Sequence, residues 1–199
     1  MMKRIRALWA LFKDGYLREQ GWFRSFVEGR AIDAHGEPVP WMNYAVIDFL
    51  KERLRPEMNL LEFGSGGSTL FFAKRCARVV SLEADRNWYE RLRKEVPDNV
   101  ELFWRAGDAF YDRNDAWGKF DVVVIDTMER NRLAEVAISY CSQTGVIIWD
   151  DTERPEYLPG VEMLLKAGWR QLRFCGIGPI QNASKETSIF YRRENVLGI

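Results

Sequence analysis

The sequence predicts an α/β fold, a doubly wound, mostly parallel sheet with helices on both faces. Three observations carry this expectation. From residue 57 onward, apolar strand-like runs alternate with segments of helical periodicity. Several of the runs, "FDVVVID" and "GVIIWDD" among them, are continuous and rich in Val and Ile, as strands covered on both faces are. The first run also enters a glycine turn, in "LLEFGSGGSTLFFA", Leu60 to Ala73. That turn asks what comes so close to the main chain that side chains had to be removed.

The strand candidates, in order, are 58–63, 79–83, 100–104, 120–126 and 145–150. Between the last two, "ERNRLAEVAISYCSQ" places Leu133, Val136, Ala137, Tyr140 and Cys141 on one helical face, and Gly145 reads as the helix stop. Alternation of this kind implies parallel strands joined by right-handed crossovers. After Asp151 the pattern changes. "EYLPGVEMLLKAGW" reads as a helix ending near Gly168, and "RQLRFCGIG" and "ETSIFYRR" follow as two strands with no room for a helix between them. They are expected to form an antiparallel hairpin. Residues 1–40 read as an N-terminal helical extension and 41–199 as the main domain. In "WMNYAVIDFLKERL", Val46, Phe49, Leu50 and Leu54 fall at helical spacing, for packing on the sheet or covering the site.

The 199 residues suffice for one domain with a full core and a short extension. Lys plus Arg and Asp plus Glu number 29 each, and this neutrality argues against nucleic acid as a main partner. No apolar run approaches the roughly 20 residues needed to span a bilayer. Cys76, Cys141 and Cys175 are far apart and odd in number. They predict buried thiols, neither a disulfide framework nor a zinc site, and a cytoplasmic location.

In open α/β sheets, ligands bind at the carboxyl ends of strands near the point where strand order reverses. The turn there is Gly64-Ser65-Gly66-Gly67-Ser68-Thr69. Glycine permits positive φ and close approach to a ligand, and Ser68 or Thr69 is a candidate cap for the following helix. A dinucleotide fingerprint would place glycine where Thr69 stands. Glu62, just before the turn, is awkward for a diphosphate and suits a cation. The positively charged, phosphate-free nucleoside S-adenosylmethionine therefore fits better. Glu83 ends the second strand, where a carboxylate can accept both ribose hydroxyls. Asp108, after the third, can accept from an adenine amine, or is a plain turn aspartate.

With these residues the chain resembles the class I, seven-stranded S-adenosylmethionine-dependent methyltransferases, over about residues 40–193. The resemblance rests on "LLEFGSGGST", "VVSLEAD", "AGDA", "FDVVVID" and the terminal hairpin, in that order. It implies strand order 3-2-1-4-5-7-6 with the seventh antiparallel. It also implies Glu62 with Gly64, Ser65, Gly66 and Gly67 around the methionine tail. Glu83 with Ala84 would then hold the ribose, and Asp108 with Ala109 the adenine.

A hydroxyl acceptor titrates far above neutrality and needs a base or a metal. Asp126 ends the fourth strand, and Asp150 and Asp151 end the fifth, so three carboxylates converge at one edge. Oxygen ligands of this kind suit Mg²⁺, which could lower the pKa of a bound hydroxyl. The pattern is similar to that of metal-dependent small-molecule O-methyltransferases. The expectation is therefore O-methylation of a small-molecule or sugar-like acceptor, with Asp126 and Asp150 catalytic and Asp126, Asp150 and Asp151 holding the ion. Metal-free readings stay open, with Asp126 a polar edge residue and Asp151 or Thr152 a helix cap. His35, Lys185 and Glu186, and Trp41 and Tyr44 are secondary candidates for the base and the acceptor pocket.

Two other functions compete, a nicotinamide-dependent oxidoreductase and a nucleoside-binding scaffold without catalysis. In the N-terminal segment, Lys3, Arg4 and Arg6 stand beside Leu8, Trp9, Leu11 and Phe12. That pattern fits a peripheral membrane contact, and it fits docking on its own domain or on a second subunit of a homo-oligomer at least as well.

Overall fold

A computed structural model describes residues 2–199, with the side chains of residues 2–4, 7, 8 and 11 outside the described set. Lys3, Arg4, Leu8 and Leu11, on which the membrane reading draws, are among those. Three helices, α1 (Met2–Asp14), α2 (Tyr16–Glu19) and α3 (Trp22–Glu28), precede an irregular stretch and α4 (Tyr44–Arg53). The sheet then begins, with β1 (Asn59–Phe63), α5 (Gly67–Ala73), β2 (Arg78–Glu83), α6 (Arg86–Leu92), β3 (Val100–Trp104) and β4 (Phe120–Ile125). After β4 come α7 (Leu133–Tyr140), β5 (Cys141–Asp150), α8 (Leu158–Lys166), β6 (Arg170–Gly176) and β7 (Lys185–Tyr191). Among the described residues, no helix is long and apolar enough to cross a membrane.

The seven strands lie in the order β3-β2-β1-β4-β5-β7-β6. β1 to β5 pair in parallel, and β7 runs antiparallel to both β5 and β6. Alternate residues of each central strand feed two separate cores, because side chains alternate across a sheet. Leu60, Val122 and Ile148 face Val46, Leu50 and Phe72 of α4 and α5. Leu61, Val123 and Trp149 face Leu133, Ala137 and Leu164 of α7 and α8. Asn43 caps α4, its side chain accepting the Val46 amide at 3.1 Å. The helix packs on the sheet, with Val46, Ile47 and Leu50 fully buried.

Two local expectations are corrected. Gly145 does not stop a helix. α7 ends at Tyr140, and Gly145 lies inside β5, where the register against β4 shifts. A Cβ there would come within 2.6 Å of Cys141 Sγ and 2.8 Å of the Phe120 carbonyl. Cys76 and Cys141 are buried, their thiols pushed up to about 12 by burial, but Cys175 is exposed. It sits on the outward face of the edge strand β6.

The carboxyl ends of β1 and β4 meet at Gly64, whose φ is +95°. A Cβ on Gly64 would lie 1.9 Å from the Asp126 carbonyl oxygen. Both the left-handed backbone and the contact demand glycine here. Gly64→Ala should therefore cost on the order of 3 kcal/mol or more. Urea denaturation reads this directly, and a variant as stable as wild type would refute the close approach.

Candidate functional site

The glycine turn is held from below and from the side. Below it, Glu62 is fully buried. Thr69 Oγ1 donates to Glu62 Oε2 at 2.5 Å and accepts the Gly66 amide at 3.0 Å. Ser81 Oγ donates to the same carboxylate oxygen at 2.7 Å. Thr69 thus braces the turn from within the first turn of α5, whose N-cap is Gly66. From the side, Glu83 Oε2 accepts the Ser65 hydroxyl at 2.6 Å and the Ser65 amide at 3.2 Å. Glu83 Oε1 accepts the Asp85 amide at 2.8 Å. The Trp88 indole donates to the Ser65 carbonyl at 2.9 Å.

Above the turn lies a cavity of ≈ 680 Å³, walled by Gly64 to Ser68, Trp41, Trp88, Asp126 and Ile180. The irregular stretch before α4 closes another side, with Ala31, Pro38 and Val39 against Gly67. Ile180 reaches the wall from the β6–β7 loop with φ +65°, a conformation rare for a β-branched residue. A second cavity of ≈ 290 Å³ is lined by Ala84, Asp108, Tyr111, Met128 and Arg132. There Asp108 is exposed and accepts from Arg132 at 2.7 Å. Ala109 follows it in the same short 3₁₀ turn. Glu62 and Glu83 border neither cavity directly.

At the ends of β4 and β5 the three aspartates converge, as expected. Their partners are cations. Arg130 Nη2 lies 2.9 Å from Asp126 Oδ1 and 3.0 Å from Asp151 Oδ2. Lys185 Nζ donates to Asp150 Oδ2 at 2.5 Å, and lies 3.1 Å from Asp151 Oδ1. Thr187 donates to Asp150 Oδ1 at 2.6 Å. Asp151 sits in the left-handed region, φ +61°, in reach of Arg130, Lys185 and Arg154. Asp126 alone of the three lines the large cavity, its side chain 23% exposed. Burial holds its carboxyl above the ordinary range, against the pull of Arg130 and Lys185.

Burial, with the Asp126 charge adding, pushes Asp150 up to about 7, while its carboxylate neighbours keep Lys185 protonated despite burial. The two tendencies conflict across one short contact. The ionised pair prevails, because both Asp150 oxygens already take donors and a neutral carboxyl would lose one.

The expectation of Mg²⁺ on Asp126, Asp150 and Asp151 does not fit this arrangement. Among the described residues, no group of three or more Asp, Glu, His or Cys side chains is disposed to hold a metal ion. The carboxylates converge on Arg130 and Lys185 instead. His35 is exposed and away from the cavity, its amide bonded to Asp33 Oδ1 at 2.8 Å. Glu186 binds Thr152 and Arg173 rather than an open pocket, and Tyr44 belongs to the core. Trp41 does line the cavity. Sequence reasoning missed Arg130, Trp88 and Ile180. The only hint was the spacing of Arg130, one helical turn after Asp126.

Burial raises the Glu62 carboxyl to about 7, against donors from Ser68, Thr69 and Ser81. The folded state therefore binds its proton more tightly than the unfolded chain does. Stability should be greatest below the unfolded value, near 4.5, and fall as pH rises to about 7. Glu62→Gln should flatten this slope and stabilise the protein above pH 7 by on the order of 3 kcal/mol. Denaturant titrations across that window test it, and an unchanged slope would exclude Glu62 as its source.

No protein-family profile matches the chain, and no curated protein does. Solved structures do. A putative caffeoyl-CoA O-methyltransferase from Staphylococcus aureus superposes with TM-score 0.62 at 13% identity, over 96% of this chain and all of that one. A methyltransferase from Pyrococcus furiosus gives 0.59 at 19% identity, over 96% and 98%. A putative O-methyltransferase from Klebsiella pneumoniae gives 0.59 at 15% identity, over 96% of each chain. With its strand order and reversed seventh strand, the chain has the fold of the class I S-adenosylmethionine-dependent methyltransferases.

Proposed function

We propose that the protein is an S-adenosylmethionine-dependent methyltransferase acting on a hydroxyl of a small-molecule or sugar-like acceptor. One observation carries the reading. The bare glycine turn and a cavity-facing carboxylate, Asp126, share the wall of a single cavity large enough for the reacting ends of two ligands.

The cofactor, when bound, supplies a sulfonium methyl group that needs no further activation. The chain has three tasks. The first is to hold the nucleoside. Glu83 accepts the Ser65 hydroxyl at 2.6 Å, and a ribose diol offers the same kind of donor, so cofactor entry exchanges one partner for another. Asp108, with Ala109 beside it and Ala84 across the second cavity, is our candidate for the adenine amine. The second task is alignment. Gly64 to Gly67 leave the methionine tail room beside the main chain, while Glu62 acts through Thr69 by fixing the turn. The third is proton removal. Asp126 Oδ1 takes the Arg130 donor at 2.9 Å, and Oδ2, with no donor among the described residues, is our candidate acceptor for the hydroxyl proton. Asp150 is buried behind it and serves to position it. Trp41, Trp88 and Ile180 give the acceptor apolar walls.

Calorimetric titration with S-adenosylmethionine, S-adenosylhomocysteine and NAD tests the first task. The two sulfur nucleosides should bind and NAD should not, and Glu83→Ala should weaken binding by about 2 kcal/mol. Tight NAD binding would favour an oxidoreductase instead. Asp126→Asn should keep nucleoside affinity and lower kcat on a hydroxyl acceptor by about 10²–10⁴-fold. Undiminished turnover would remove Asp126 from the reaction.

A further inference from the structure

We propose that Arg130 and Lys185 stand where a divalent cation would be held, so that the three aspartates of the catalytic edge form a closed, metal-free charge cluster. Two buried side chains carry the positive charge, each with 8% of its surface exposed.

Lys185 is engaged on three sides. Its ammonium donates to Asp150 Oδ2 at 2.5 Å and to the Trp41 carbonyl at 2.8 Å, and it lies 3.1 Å from Asp151 Oδ1. Arg130 is almost as fully engaged. Nε donates to the Thr127 carbonyl at 2.7 Å, and Nη1 donates to the Asp150 carbonyl. Nη2 spans Asp126 and Asp151 at 2.9 and 3.0 Å. The half-exposed Arg154 adds a contact to Asp151 Oδ2 at 2.8 Å. Three carboxylates thus face two buried cations and one at the surface, and the formal charges cancel.

A divalent ion entering this cluster would have to expel an ammonium or a guanidinium. The expelled cation would be left buried, unpaired and beside a second positive charge, which is strongly unfavourable. Asp151 adopts the left-handed backbone at φ +61°, and its side chain meets cations from the β4–α7 connection, from its own turn and from β7. A carboxylate of the usual metal-holding kind keeps lone pairs free for the ion. Here, Asp126 is the one aspartate of the cluster that lines the large cavity.

The proposal concerns ion occupancy and is tested without cofactor or acceptor, so its failure is separate from failure of the methyltransferase reading. Chelator-treated wild-type protein is titrated with Mn²⁺, following the free ion by electron paramagnetic resonance and the protein by Tm. The expected result is no saturable uptake and no rise in Tm at millimolar Mn²⁺. Stoichiometric uptake that Asp150→Asn abolishes would overturn the proposal. In Lys185→Met the carboxylates of Asp150 and Asp151 lose their main cation. That variant should take up Mn²⁺ and gain several degrees in Tm when the ion is added. A folded Lys185→Met or Arg130→Gln protein that stays blind to Mn²⁺ would show the cations to be simple structural ties, and would equally overturn the proposal.

Discussion

Contact between the tips of two neighbouring strands governs the whole carboxyl edge. Because Gly64 lacks a side chain, the main chain leaving β1 lies against the Asp126 carbonyl at the end of β4. That contact fixes the distance from the glycine turn to Asp126. Everything placed on either side inherits the spacing. On one side stand Ser65, Glu83 and Trp88, and on the other Arg130 and the β5 aspartates. The proposed methyl transfer would need two reactants held end to end, and a rigid span between two anchorages suits that requirement.

The charge cluster behind Asp126 is the second constraint. Burying ionised groups costs several kcal/mol each, and attraction offsets this only where geometry is good and remaining donors are satisfied. The Lys185 ammonium meets that condition with hydrogen bonds to Asp150 and the Trp41 carbonyl and with Asp151 beside it. Its net contribution to stability is therefore modest, whereas its contribution to position is large. Asp150 is pinned from both oxygens, and Asp126 from one. The apolar cores on the two sheet faces supply the driving force, and the polar edge decides where a few carboxylates point.

Much of this was legible in the residues. Continuous Val and Ile runs announce doubly covered strands, and two strands too close for a helix between them must form a hairpin. Convergence of the aspartates followed from their positions at the ends of adjacent strands. Their counter-charges did not follow. Lys185 opens the last strand, and only the antiparallel insertion of β7 beside β5 brings it to Asp150. The outward exposure of Cys175 turned on the alternation of an edge strand covered on one face. Gly145 misled because a glycine after a helical pattern usually marks its end, while here it relieves crowding in an irregular strand pairing. Residues 29–40 carry no periodicity, so of this part of the cavity wall only Trp41, an aromatic just ahead of α4, was a candidate.

The tryptophans have a practical consequence. Trp117, Trp149 and Trp169 are sealed in the core, while Trp41 and Trp88 stand half-exposed on the cavity wall. Indole emission shifts with the polarity of its surroundings. The molecule thus carries its own optical reporters at the mouth of the pocket, and panels of unlabelled compounds can be screened by watching the protein's light alone.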